Sequence, residues 1–150
     1  MSDRDGAYAP TDAELRSILG DAKTIAVVGL SSKPDRYSHE VASYLQSRGY
    51  RIVPVNPKET EVLGERAYPS LLEVPEDVQI DVVDVFRRAD QTPPVARQAV
   101  ARGAKVLWLQ DGILSEEARD IAEQAGMTVI MGTCIKRTSR RLEGPGRGKG

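Results

Sequence analysis

The chain has 150 residues, 40% of them hydrophobic, and a formal net charge of −1. That is enough apolar material for one compact domain with its own core, and it gives no electrostatic case for nucleic acid, whose partners present a concentrated basic face. One cysteine, Cys134, excludes an internal disulfide framework and a cysteine-built metal cage. With no apolar signal core at the start and no run of membrane-spanning length, the expectation is a cytoplasmic protein that binds no metal and touches no membrane.

The polar start over 1–10 reads as a flexible N-terminus. "TDAELRSILG" then predicts a short helix, with Thr11 and Glu14 at capping-box spacing and Gly20 as its stop. Five short Val- and Ile-rich runs follow, over 24–30, 50–55, 79–86, 104–110 and 127–131, with the composition of strands buried on both faces. Helical patterns alternate with them. "YSHEVASYLQSRG" sets Val41, Leu45 and Arg48 along one face and ends at Gly49. "TPPVARQAVARG" has Thr92 as cap and Gly103 as stop, and "SEEARDIAEQAG" runs from Ser115 to Gly126. Between 55 and 79, "YPSLLEVP" predicts a short helix with Ser70 and Glu73 at capping-box spacing, and "ERAY" a brief edge strand. Lys136, Arg137, Arg140, Arg141, Arg147 and Lys149 face a single acid, Glu143, over the last residues, so 137–150 reads as a basic, disordered tail. Strand–helix–strand repetition over 11–136 predicts an α/β, Rossmann-like three-layer fold: a parallel sheet with helices on both faces.

Ligands of such sheets sit beyond the carboxyl ends of the strands, where strand order reverses. Four segments are nominated by that rule: 29–38, 56–58, 86–88 and 110–112. The first has the parts of a phosphate cradle, with Gly29 for close backbone approach, hydroxyls on Ser31, Ser32 and Ser38, charges on Lys33 and Arg36, and a helix N-terminus behind. It has one glycine where a dinucleotide fingerprint wants three. The second strand ends in Asn56-Pro57-Lys58, where an NAD site would carry an acid; an ammonium there suits a ribose bearing an extra phosphate, as in NADP or coenzyme A. Gln110 and Asp111 are polar groups at another strand end. His39, in a helix's first turn, reads as packing rather than as a general base, and Cys134 as an inert, buried thiol.

The segments "IAVVGLSSKPDRYSHEVASYLQSRGYRIVPVNP", "VLGERAYPSLLEVP", "IDVVDVFRRAD", "GAKVLWLQDGI" and "AGMTVIMGTCIK" together resemble the small single-domain CoA-binding proteins, themselves similar to the CoA-binding domain of the succinyl-CoA synthetase alpha subunit. The resemblance covers 12–136. It implies that the Ser31 to Ser38 loop receives the CoA pyrophosphate and that Asn56, Pro57 and Lys58 meet the adenosine 3′-phosphate end. It implies too that Val85, Phe86 and Arg87 line the nucleotide or pantetheine, with Gln110 as a pantetheine hydrogen-bonding candidate. Relatives commonly read Asp-Arg-Cys where this chain has Gly132-Thr133-Cys134, so an acid and a base at the cleft rim are expected to be missing. The expected function is non-catalytic binding of coenzyme A or acyl-CoA, as carrier, sensor or partner-dependent module. An NADP-dependent oxidoreductase and a CoA-linked thiol-redox protein are the alternatives.

Overall fold

The computed structural model describes residues 10–143. Helix α1 (Asp12–Asp21) begins at a reciprocal capping box: Glu14 N–H donates to Thr11 Oγ1 at 3.1 Å, and Thr11 N–H to Glu14 Oε1 at 2.7 Å. The helix continues through Gly20 and ends at the extended Ala22, so Gly20 is not its stop. Strand β1 (Thr24–Val28) is buried throughout. Helix α2 (Tyr37–Ser47) buries Val41, Ala42 and Leu45, and the chain leaves it through Gly49 at φ 99°, a left-handed turn that glycine takes without strain. Strand β2 (Arg51–Val55) follows.

The next segment departs from expectation. Strands β3 (Glu61–Val62) and β4 (Glu65–Arg66) form a separate antiparallel hairpin, so "ERAY" is not an edge of the main sheet; only Tyr68 bridges to Val55. The expected helix at 68–75 is one 3₁₀ turn, Leu71–Glu73, without a side-chain cap from Ser70. Four carbonyls of this stretch, on Leu71, Val74, Pro75 and Val78, instead accept from the Arg102 guanidinium at 2.6–3.1 Å.

Strand β5 (Val82–Val85) leads into a 3₁₀ turn, Ala89–Gln91, and helix α3 (Thr92–Ala101). Thr92 is the first helical residue rather than the cap, its hydroxyl donating to Ala89 O at 2.7 Å. Strand β6 (Val106–Leu109), helix α4 (Glu116–Gln124) capped by Ser115, and strand β7 (Thr128–Ile130) complete the alternation. Helix α5 (Ile135–Glu143) corrects the expected tail: residues 137–143 are helical, with Ile135, Thr138 and Ser139 buried, while the expectation for 144–150 lies outside the described residues.

The five main strands are all parallel, in the order β2-β1-β5-β6-β7. Helices α3 and α4 cover one face over Val53, Val83, Leu107 and Val129; α1, α2 and α5 cover the other over Ile25, Val27, Val82 and Trp108. This is the predicted α/β Rossmann-like three-layer sheet. Among the described residues no helix is long and apolar enough to cross a membrane. The chain goes from β1 out to β2, then crosses back to β5 on β1's other side. The reversal of strand order therefore falls between β1 and β5, and their carboxyl ends mark the crevice.

Candidate functional site

The crevice is built around Gly29. Its N–H donates to Val55 O at 2.8 Å, and Phe86 N–H donates to Val28 O at 2.8 Å, so the three strand ends are stitched together just where the loops depart. Gly29 has φ +91°, and a Cβ placed there would stand 2.5 Å from the Phe86 carbonyl oxygen. The backbone just past β5 therefore requires glycine at this position whatever binds beside it.

Past Gly29 the loop is held by its own hydroxyls. Ser31 N–H donates to Ser38 Oγ at 3.1 Å, and Lys33 N–H to Ser31 Oγ at 3.0 Å. The amide between them, on Ser32, donates at 2.9 Å to the Glu59 carboxylate, which that bond and the neighbouring Lys33 charge hold below the usual carboxylate range. Lys33 and Arg36 are exposed, and Arg36 precedes α2 with no side-chain cap bond. On the facing turn Asn56 is buried: its Nδ2 donates to Leu30 O at 3.0 Å and its Oδ1 accepts from Lys58 N–H at 3.0 Å. Asn56 thus joins the two loops as an Asx turn and is not a free ligand contact, while Pro57 and Lys58 stand exposed beside it. Glu59 had no sequence signal of its own; what aims it is the turn that Asn56 closes.

Across the crevice, Val85 is fully buried in the core beneath α3 and α4, so its side chain does not line a ligand, contrary to expectation. Phe86 and Arg87 are half-buried, and the Phe86 ring meets that of Tyr37 edge-on at 6.0 Å between centroids. Gln110 is also corrected: it is 2% exposed, and its Oε1 accepts from Ile135 N–H at 3.1 Å, capping the first amide of α5. Its Nε2 has no partner.

Gly132 and Thr133 bring no acid or base to the rim, as expected, and the charged pair found there comes from Asp111 and Arg137. Arg137 binds Asp111 through both guanidinium nitrogens at 2.7 and 2.8 Å, and also donates to the Tyr37 hydroxyl at 3.1 Å. The Tyr37 hydroxyl in turn donates to Cys134 Sγ at 2.7 Å. Arg137 holds the Asp111 carboxyl below its usual range, while burial, and then the Cys134 contact, push the Tyr37 hydroxyl up. Cys134 is fully buried at the start of α5, and Thr138 N–H donates to its carbonyl at 2.9 Å. Beside this network an open groove of about 500 Å³ is lined by Thr133, Arg137, Thr138, Arg140 and Arg141. His39 sits half-buried in the first turn of α2. Beneath the site, Asp84 lies between Val27 and Trp108 in the sheet, fully buried, with neither carboxyl oxygen hydrogen-bonded; burial alone drives it well above the usual carboxylate range.

What the edge offers is a loop amide already holding an anion, three exposed cations on the neighbouring turns, and an aromatic flank of Tyr37 and Phe86. Comparison with known proteins identifies the family. The model of the CoA binding domain family matches residues 23–140. YneT of Bacillus subtilis (strain 168) is 49% identical over 127 residues, covering 85% of this chain and 93% of YneT. The alpha subunit of acetate–CoA ligase [ADP-forming] II from Pyrococcus furiosus is 30% identical over 120 residues, 74% of this chain and 26% of the subunit, so this chain spans about a quarter of that relative. A solved structure, a hypothetical protein from Pyrococcus horikoshii OT3, superposes with a TM-score of 0.88 at 40% identity, over 96% of this chain and all of the other. The chain belongs to the CoA binding domain family and is homologous to that portion of the ADP-forming acetate–CoA ligase alpha subunits.

Proposed function

We propose that the protein binds coenzyme A or an acyl-CoA along the carboxyl edge of its sheet without turning it over, in the cytoplasm, as a carrier, a sensor or a module used by a protein partner. The observation that carries this reading is the Ser32 amide, which holds a carboxylate in a loop flanked by Lys33, Arg36 and Lys58. A loop whose backbone donor and nearby cations seat one anion has the donor set for a phosphate. Ser31 to Ser38 would hold the pyrophosphate, and Pro57 and Lys58 the 3′-phosphorylated adenosine. Phe86 and Tyr37 form the flank that would meet the pantetheine, with the Cys134 thiol buried behind the Tyr37 hydroxyl. CoA would supply the acyl-carrying thiol. The polar groups of the flank are engaged with one another, Arg137 with Asp111 and Tyr37 with Cys134, an arrangement that suits holding a ligand rather than moving its protons.

Calorimetric titration with CoA, dephospho-CoA, NAD and NADP tests the reading. CoA is expected to bind and dephospho-CoA to bind about fivefold more weakly, with Lys58→Ala removing most of that difference, since a solvent-exposed ion contact is worth about 1 kcal/mol. Binding of NADP without CoA would replace this reading by an NADP-dependent oxidoreductase. Equal affinity for CoA and dephospho-CoA would remove Lys58 from the site.

A further inference from the structure

Three consecutive amides open the loop after β1, and they are satisfied in different ways. Ser31 N–H is taken by Ser38 Oγ, and Lys33 N–H by Ser31 Oγ, both inside the loop. Ser32 N–H alone is satisfied from outside, by Glu59 Oε2 at 2.9 Å. Glu59 is carried there by the turn after β2, where Asn56 O accepts from Glu59 N–H at 3.2 Å and Asn56 Oδ1 from Lys58 N–H at 3.0 Å. The contact is exposed to solvent, so the carboxylate can leave by side-chain rotation alone, without unmaking the turn. Of these three amides, then, the one that no neighbouring hydroxyl consumes is the one an ionised side chain occupies.

We propose that Glu59 is a resident anion at the phosphate position of this loop, displaced from the Ser32 amide by the phosphate of an incoming ligand, and that it lowers the affinity of the site for phosphorylated ligands. The proposal rests on the reading of this loop as phosphate-binding. A neutral ligand group forms too weak a bond to Ser32 N–H to replace a carboxylate, whereas a phosphate oxygen makes a charge-assisted bond of the same kind. Displacement also leaves two anions close together, so the site binds phosphates less tightly than its cations alone would allow; Lys33, Arg36 and Lys58 offset part of that repulsion.

Glu59→Gln tests this directly, because the amide oxygen of Gln still accepts from Ser32 N–H and keeps the loop joined while the charge is lost. Wild type, Glu59→Gln and Glu59→Ala are titrated with CoA, inorganic pyrophosphate and adenosine, and their folding is checked by thermal melting followed through the buried Trp108. The expected result is that both variants bind CoA and pyrophosphate about fivefold more tightly or better, with no gain for adenosine. If CoA binds wild type and both folded variants equally, or binds the variants more weakly, the Glu59 proposal is overturned and the CoA reading stands. If CoA binds none of them while pyrophosphate binds the variants more tightly, Glu59 keeps its role and the CoA reading fails. If neither anion binds any of the three, both are overturned.

Discussion

At Asp84 a carboxylic acid occupies the middle of the central sheet with no hydrogen-bond partner, and its protonation state is a stability term. Because its folded pKa lies above the unfolded value, the folded protein holds one more proton than the unfolded chain between the two. Stability is therefore lost as pH rises from about 4, by about 1.4 kcal/mol per pH unit, until the folded pKa is passed, and then levels. Asp84→Asn removes that dependence: its melting temperature should exceed wild type by a margin that widens between about pH 4 and pH 7. Parallel melting curves across that range would count against a neutral Asp84. Gly29 makes a second residue-scale case. Gly29→Ala forces a Cβ against the Phe86 carbonyl at positive φ and should cost about 3 kcal/mol in urea unfolding, so any loss of ligand binding in that variant reports on the fold. Neither feature was legible in advance. "VVDVF" reads as a strand whatever its third residue, and a glycine after a strand looks the same whether a ligand or a backbone crowds it. Lys33, Arg36 and Lys58 were legible because charge at a strand end is visible without knowing what it touches.

Two elements show where sequence patterns succeed and fail. Helix α1 was legible because a capping box is a local device, complete within four residues. Helix α5 was hidden by its basic composition, yet Ile135 and Leu142, seven apart, with Thr138 and Ser139 between them, trace one helical face toward the core; two of its inward residues are small and polar, which masks the period. Its cations are partly structural: Arg137 binds Asp111 and Arg141 binds Asp12, while Glu143 pairs with Arg48. A chain ending after Lys136 should therefore melt at a lower temperature than wild type, as seen by Trp108 fluorescence. An unchanged melting temperature would mean α5 adds nothing to the core. Arg102 performs the equivalent service for the segment between the hairpin and β5. Arg102→Lys, which keeps the charge but loses the planar fork, should lower unfolding stability by about 2 kcal/mol, because one ammonium cannot reach four carbonyls.

For the whole molecule, the parallel sheet and its flanking helices follow from alternation of Val- and Ile-rich runs with capped helices, and that much was legible. Strand order was not: nothing within any one run specifies that β5 pairs with β1 rather than β2. The crevice between β1 and β5 follows only once that pairing is known, and the burial of Val85, which the resemblance had given to the ligand, and of Gln110 follows only from the packing. The contact between α1 and α5, made by Arg141 and Asp12, also bears on the order in which the protein can be made. Helix α5, which joins α1 and α2 over the face of Ile25, Val27 and Trp108, is the last described element to leave the ribosome, so that face stays incompletely covered, and open to proteases and chaperones, until then. Nascent chains stalled with Lys136 just outside the exit tunnel should be cleaved readily, whereas those stalled with Glu143 outside should resist. Equal resistance at both lengths would mean the sheet closes without its last helix.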